Sequence, residues 1–200
     1  VEPSQVLTKI NLGFDGADGG ELTPLEHRPA QKVGAVFFPR PLTGLQVWAS
    51  SYNPITNTLD FTGFTSLEYI EAYKCTKLRQ AVVTNLPALR RLCLEACDLQ
   101  ELDISGNPNL EDVRAALNGF TNIVIGGDTG PKIWHFCVRD NPQVTQRFQD
   151  FMTNFYSLEE FFAWNDNQEG DLALVSTNLT LVWAYENRYS SADFTGNANL

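Results

Sequence analysis

The chain has 200 residues, which fits one ordinary domain or one elongated repeat array. Hydrophobic residues make up 43% and charged residues 19%, a composition that excludes wholesale disorder. The net charge of −10, from 14 Lys and Arg against 24 Asp and Glu, argues against a nucleic-acid binder and against a protein that binds anionic membranes.

Residues 1–40 precede any regular pattern and predict an N-terminal cap. They contain two apolar runs, 6–12 and 33–38, on either side of a Gly/Asp-rich loop at 13–20, which together predict a strand, a loop and a second strand. The run at 33–38 is far shorter than the roughly 18–20 residues that span a bilayer, so no membrane insertion is expected. No basic region followed by an apolar run opens the chain, so we expect either a cytosolic protein or a mature, trimmed form.

A repeat occupies residues 41–200. Residues 89–99 read L-x-x-L-x-L-x-x-C-x-L, and the same frame recurs along the chain with spacings of 22, 22, 21, 23, 25 and 23. The first positions of the seven units are Leu45, Leu67, Leu89, Leu110, Ile133, Leu158 and Leu181.

This pattern resembles the leucine-rich-repeat family. The similarity is greatest to the 21–23-residue bacterial type found in Bacteroidetes surface proteins and internalin-like arrays, in which a second phrase reads L-x-x-L-D-[VI]-S-x-N-x-x-L. Here that phrase occupies 99–110, with degenerate copies at 59–63 and 192–197. The resemblance implies an α/β, strand-dominated solenoid, a right-handed coil of about seven repeats with one parallel sheet face. It also implies surface display or secretion and a role in adhesion.

Each position of the repeat has a physical reason. The L-x-x-L-x-L segment predicts a short strand whose leucines point into the coil, and stacked coils share one core. After the strand, a buried amide can satisfy backbone groups of its own coil and of the next. We expect this structural ladder at Asn53, Asn118 and Asn141, with Cys75 and Cys97 filling equivalent positions as small apolar residues.

One helix is predicted on the convex side, at 142–155. Val144, Phe148, Phe151 and Phe155 follow helical spacing, with Asn141 as the expected N-cap and a proline at the first helical position.

The four cysteines are predicted to be free thiols. Cys93 and Cys137 fall on the outward face of the strands two coils apart, about 10 Å at about 4.8 Å per strand, which is too far for a disulfide. Cys75 and Cys97 lie in adjacent coils, and a bridge between them is the alternative. His135 and Cys137 share one face of a strand, but without further ligands or an oxyanion pocket they predict exposed sheet residues rather than a metal or nucleophilic site.

Two acidic patterns predict structure rather than chemistry. The segment 165–171 resembles a calcium loop, yet its twelfth position is Ser176 instead of Glu, which favours a polar turn. Asp60, Asp103 and Asp193 sit in the turn phrase, where a carboxylate is expected to cap backbone amides. Neither a catalytic residue, a metal nor a cofactor is therefore predicted.

The outward face of the strands is the predicted ligand-binding surface. Its last two coils carry four aromatic side chains, and exposed aromatic clusters are typical of binding surfaces. A partner, a sugar or residues beyond Leu200 are the three possible covers of these rings. The candidate binding residues are Tyr69, Tyr73, Arg91, Arg114, Arg139, Phe162, Trp164, Trp183 and Tyr185.

These observations predict a non-enzymatic binding or adhesion protein whose partner is another protein. A carbohydrate-binding module that uses the C-terminal aromatics is the second hypothesis, and a β-helix-like polysaccharide enzyme is the third. By family resemblance, the protein is expected outside the cell or on its surface.

Overall fold

The computed structural model describes residues 7–12, 33–38, 40–126 and 128–200. In these residues the chain forms short strands and one helix of a single turn. In chain order the elements are β1 Lys9–Leu12, β2 Val47–Ser51, β3 Leu59–Asp60, β4 Tyr69–Tyr73, β5 Ala81–Val82, β6 Arg91–Cys93, β7 Glu101–Asp103, β8 Asp112–Arg114, β9 Asn122–Val124, β10 His135–Cys137, α1 Phe148–Phe151, β11 Glu160–Phe162, β12 Glu169–Ala173, β13 Leu181–Trp183 and β14 Arg188–Asp193.

Eight strands, one from each coil, form the main sheet in the order β1-β2-β4-β6-β8-β10-β11-β13. Every neighbouring pair in it is parallel, and the register joins equivalent repeat positions, such as Ile70 with Leu92 and Leu92 with Val113. The return segments add three two-stranded parallel sheets, β3–β5, β7–β9 and β12–β14. The fold is therefore a strand-dominated, leucine-rich-repeat-like solenoid, as the repeat predicts.

The inward positions of the repeats form one continuous core. Leu92 and Leu94 are each 1% exposed, which confirms the frame of the best-matched unit. Where aromatic residues replace leucine, their rings pack on one another, edge to face for Trp48 and Phe61 at 5.2 Å and stacked for Phe136 and Phe161 at 6.4 Å. Degenerate repeats thus still bury their apolar faces.

A left-handed residue turns the chain inward at the same repeat position in seven coils of the described residues. Seven non-glycine residues at this position have φ between 52° and 59°; six of them lie seven places after the predicted first residue of their unit, and the seventh, Glu186, lies seven places after Leu179. Because L-residues avoid this region, the shared conformation is imposed by the coil rather than by local preference. The seven residues are Tyr52, Lys74, Ala96, Leu117, Asp140, Asn165 and Glu186.

The predicted ladder of amides follows directly after these turns. The Nδ2 of Asn118 donates to the carbonyl oxygens of Leu94 and Ala115, and its Oδ1 accepts the N–H of Leu99 at 3.2 Å. The Oδ1 of Asn141 in turn accepts the N–H of Asn118. Asn141 is fully buried and Asn118 is partly buried. The ladder therefore satisfies backbone groups that the turn removes from the strand pairing.

The other ladder positions behave as the sequence predicts. Asn53 is buried and donates to Leu12 of the preceding coil. The thiols of Cys75 and Cys97 reach carbonyl oxygens of the preceding coils, and all four cysteines of the chain are free. A second ladder residue, Asn107, is also fully buried, and its Nδ2 donates to the carbonyls of Val83 and Ile104.

The N-terminal segment differs from its prediction. β1 pairs in parallel with β2 and joins the main sheet, so a repeat unit precedes the seven counted from the sequence. Residues 33–38 form no strand; instead Val36 bonds to the side chain of Asn57, and the ring of Phe38 packs 5.0 Å from that of Phe64. The loop at 13–20 lies outside the described residues.

The last repeat is shifted by two residues from the predicted frame. β11 pairs with β13 so that Phe161 lies beside Val182, which makes the buried Leu179, and not Leu181, the first residue of that unit. In this frame Asn187 is the ladder residue, and its Nδ2 donates to Ala163 of the preceding coil. The even shift preserves strand alternation, so Trp183 and Tyr185 stay outward, whereas Asn187, at an outward position in the predicted frame, belongs to the ladder.

The predicted helix at 142–155 is largely wrong. Only Phe148–Phe151 is helical, it follows an extended Arg147, and no side chain caps it. The side-chain amides of Gln146 and Gln168 bond to backbone of neighbouring coils, which competes with bonding along a helix. The side chain of Asn141 is likewise held in the ladder instead of at a helix N-terminus.

Candidate functional site: the sheet face

The outward side of the main sheet, here called the sheet face, carries all nine predicted binding residues. They lie on β4, β6, β8, β11 and β13 or two residues after β10, β11 and β13, at positions that alternate with the buried core residues. Along the sheet the surface changes from tyrosine and carboxylate to arginine and then to aromatic side chains.

The first part of the sheet face is built around a buried carboxylate. Glu71 is 1% exposed and accepts hydrogen bonds from Ser51 Oγ at 2.9 Å and from the Tyr69 hydroxyl. Burial, together with this carboxylate, raises the pKa of Tyr69. Beside it, the Lys74 ammonium lies 5.2 Å from the ring centre of Tyr73. The hydrogen bonds to Glu71 and the contact between Lys74 and Tyr73 therefore hold this part of the sheet face in place.

The centre of the sheet face is a charge network on Asp112. Its carboxylate lies 3.1 Å from Arg91, 3.2 Å from Arg114 and 2.8 Å from the Nδ1 of His135. Burial acts to raise the pKa of Asp112, but the contacts with His135 and Arg114 outweigh it and hold the pKa at about 2. Asp112 is therefore ionised at neutral pH; it holds Arg114 on its own strand and Arg91 on the neighbouring strand β6.

Four aromatic residues form one contiguous cluster at the far end, here called the aromatic cluster. The ring of Phe162 lies 5.3 Å from that of Trp183, and Trp183 lies 5.8 Å from Trp164. Trp164 and Tyr185 stack at 5.2 Å with planes 10° apart. The Arg139 guanidinium lies 4.7 Å from the centre of the Trp164 ring. Trp183 and Tyr185 are 47% and 53% exposed.

Two carboxylates hold Arg139 against the aromatic cluster. Its guanidinium pairs with Glu95 at 3.0 Å and with Asp140 at 2.6 Å. These bonds fix the cation over the indole, since guanidinium groups held by two carboxylates lose most of their freedom. The Arg139 guanidinium that packs on the aromatic cluster is thus preorganised.

Three polar residues of the sheet face are buried, contrary to the sequence-based expectation of exposure. His135 is 7% exposed, and Cys93 and Cys137 are buried to a similar extent. The neighbouring coils supply the cover, because the ring of Phe162 packs 5.3 Å from that of His135. Burial raises the pKa of Cys137 to about 11, so its thiol is protonated at neutral pH.

The polar turns have structural roles. Oδ1 of Asp60 accepts the N–H of Thr62, Asp103 accepts that of Ser105 and Asp193 that of Thr195. In the segment 165–171 the side chains of Asp166 and Gln168 are buried and bond to backbone of neighbouring coils. Across the described parts of the chain, no three His, Cys, Asp or Glu side chains converge as metal ligands would.

An open depression of about 450 Å³ runs along the starts of the main-sheet strands, from Val47 to Trp134. Arg90 and Arg91 line it together with Tyr69 and Trp134, and Arg90 makes a bidentate pair with Glu111. Arg91 pairs with Asp112, so both arginines of this depression are already engaged by carboxylates.

Several contributors were missed at the level of sequence. The buried carboxylates Glu71 and Asp112 look like ordinary surface residues in the repeat frame, and only lateral pairing between coils reveals their burial. Leu181 was assigned inward, although its position beside Glu160 places it on the sheet face. A frame aligned on Asn187 as the ladder residue would have found it.

No helix in the described part of the chain is long and apolar enough to cross a membrane. No family model matches this chain, and no curated protein matches it. Among solved structures, the chain is similar to the crystal structure of an internalin from Listeria monocytogenes, at 15% identity and a TM-score of 0.31. The match covers 80% of this chain and 66% of the internalin chain. Because this similarity is low, the fold is assigned here from the strand order and register of this chain alone.

Proposed function

We propose that this protein is a non-catalytic binding protein that contacts a protein partner through the sheet face. The observation that carries the proposal is the aromatic cluster with Arg139 stacked on Trp164. Tryptophan, tyrosine and arginine are the residues most enriched among the few that dominate binding energy in protein interfaces. Here they lie together on, or two residues after, strands that pair in parallel.

The state of the polar groups on the sheet face supports binding over catalysis. Asp112 is held ionised by its cationic partners, with a pKa of about 2, and burial raises the pKa of Cys137 to about 11. Acid–base chemistry near neutral pH uses groups whose pKa lies close to 7. These two groups are instead fixed in one protonation state.

The repeat type supports the remaining part of the proposal. We place the protein in the 21–23-residue bacterial type of leucine-rich repeat, by resemblance of the 89–110 phrase. That type implies a secreted or surface-displayed protein with an adhesive role.

Selection from a displayed random-peptide library tests this proposal. Peptides that bind the intact protein are expected to lose about thirtyfold or more in affinity for the double variant Trp164→Ala, Trp183→Ala, a loss of about 2 kcal/mol. The matched control is Tyr156→Ala, because Tyr156 is 59% exposed and lies outside the sheet face. Circular dichroism of the double variant checks that the solenoid remains folded. Binders unaffected by the double variant would contradict the proposal.

Binding of carbohydrate is the alternative function, because the exposed rings of Trp183 and Tyr185 could stack on sugars. A glycan array separates the two. Strong glycan binding that is lost with Trp183→Ala favours sugar binding. If no glycan binds, and the selected peptides depend on the aromatic cluster, the protein partner is favoured.

A further inference from the structure

The aromatic cluster ends in a cation–aromatic stack that is occupied at one end and open at the other. Arg139, from the β10 coil, covers one face of Trp164, and Tyr185, from the β13 coil, stacks on the opposite face. The sheet order places the Trp164 coil between these two coils. Both faces of the Trp164 ring are therefore used internally, while among the described residues no other ring or guanidinium lies over Tyr185.

The charge around the cluster is unbalanced in favour of carboxylates. Glu159 and Glu160 border the cluster at the start of the strands, and Asp140 and Glu186 border it at the left-handed turns. The nearby cation is already paired, since Arg139 contacts both Glu95 and Asp140.

Two of these carboxylates are free to attract a ligand. Within the described residues, neither Glu159 nor Glu186 takes part in an ion pair, and both are exposed. The chain as a whole carries a net charge of −10, so its long-range field also favours a cationic ligand. Complementarity of this kind selects partners and accelerates their encounter.

We infer that the aromatic cluster binds a basic segment of the partner protein, with an arginine or lysine side chain that covers the open face of Tyr185. The bound cation extends the internal stack by one layer, and its charge faces the carboxylate border. The aliphatic stem of that side chain lies against the exposed ring of Trp183, as long basic side chains do on apolar surfaces. Cations over tyrosine and tryptophan rings are bound more tightly where the site is shielded from water.

This inference rests on the proposed function, and the two can fail separately. Library peptides that depend on Trp164 and Trp183 but carry no basic residue would leave protein binding standing and remove the cationic partner. An absence of any peptide that depends on the aromatic cluster would remove both.

The direct experiment uses a capped hexapeptide of alternating arginine and leucine, and its twin with citrulline in place of arginine. Citrulline keeps the shape of arginine and removes its charge, so the comparison isolates the cation. Isothermal titration calorimetry of the 200-residue protein is expected to show about tenfold tighter binding of the arginine peptide, with the difference shrinking at high salt.

Variants of the protein test where the cation of the peptide binds. Tyr185→Leu removes the aromatic face but keeps an apolar side chain, and it is expected to reduce the arginine preference about fivefold, while Tyr156→Leu leaves it unchanged. Adding Glu186→Gln to Tyr185→Leu is expected to lower the preference for the arginine peptide further. Equal affinity for both peptides, no measurable binding of the arginine peptide, or a preference that survives Tyr185→Leu would each overturn the inference.

Discussion

Replacement of Asp166 by asparagine is expected to stabilise the protein in a pH-dependent way. Asp166 is fully buried in a ladder position between Asn141 and Asn187. Its Oδ1 accepts the N–H of Asn141 at 2.7 Å, but its Oδ2 has no hydrogen-bond partner among the described residues. In the neighbouring ladder residues this second atom is an amide nitrogen that donates to carbonyl oxygens, which a carboxylate oxygen cannot do.

The size of the effect follows from the pKa of this carboxyl group. Burial raises the pKa of Asp166 from 3.8 to about 8, and the negative charge of Asp140 also acts to raise it. The hydrogen bond from the Asn141 N–H and the positive charge of Arg139 act to lower this pKa, but they do not offset burial. Because the folded-state pKa is raised, the contribution of Asp166 to stability is greatest below pH 3.8 and is lost as the pH rises towards 8. Linkage gives a loss of about 4 kcal/mol at pH 7 relative to low pH.

Asp166→Asn removes this titration and supplies the missing donor. The variant should therefore exceed the parent in unfolding free energy by about 4 kcal/mol at pH 7, by little near pH 4, and by a constant amount above pH 8. Urea denaturation followed by tryptophan fluorescence at one-unit steps from pH 4 to pH 9 measures the difference. Asp193→Asn is the matched control, because the bonds to Thr195 lower the pKa of that exposed carboxyl group and its variant should not gain stability with pH.

The reasoning would be refuted if the stability difference between Asp166→Asn and the parent were independent of pH. It would also be refuted if the variant were less stable at pH 8, because the ladder would then depend on the carboxylate itself.

Three further changes probe the repeat frame by equilibrium unfolding. Leu92→Ala should cost about 2–5 kcal/mol, since it opens a cavity at a fully packed position, and a loss below about 1 kcal/mol would contradict that packing. Asn118→Leu should cost about 1–3 kcal/mol for each backbone group that it leaves unpaired, so an unchanged stability would remove the ladder. Leu117→Gly should stabilise by about 0.5–1 kcal/mol, because its φ of 57° strains an L-residue, whereas Val124→Gly in β9 should destabilise; the same sign for both would count against strain at the turn.

The strand register of the middle coils was predictable because apolar residues fill each inward position of the repeat. Between Leu89 and Asn118 the leucines and amides occur at regular intervals, and a parallel sheet can satisfy them in only one frame. At Leu181 the frame failed, since a leucine that faces outward imitates the first position. The buried Leu179 and the ladder residue Asn187 identify the correct frame.

Features that depend on contacts between coils could not be found in the sequence. Helical spacing of apolar residues at 144–155 is also produced by a segment whose side chains and backbone bond laterally, as Gln146 and Gln168 show. The repeat of β1 is separated from the next by a long insertion, so its period was not recognised. The burial of His135 requires the aromatic ring of the following coil, which strand alternation alone does not reveal.

The candidate site was predictable in its position but not in its arrangement. Strand alternation correctly placed Phe162, Trp164, Trp183 and Tyr185 on one face. The stacking of Arg139 on Trp164 depends on ion pairs across coils that are distant in sequence, such as Arg139 with Glu95. Such pairs follow from the stack of coils and not from any local motif.

Hydroxyl-radical footprinting of the protein bound to a selected peptide tests the central claim most directly. Tryptophan and tyrosine side chains are oxidised where they are exposed, and each can be followed separately by mass spectrometry. The proposed binding surface predicts strong protection of Trp183 and Tyr185 on binding and unchanged oxidation of Tyr156. Protection of Tyr156, with Trp183 and Tyr185 still oxidised as in the free protein, would contradict it.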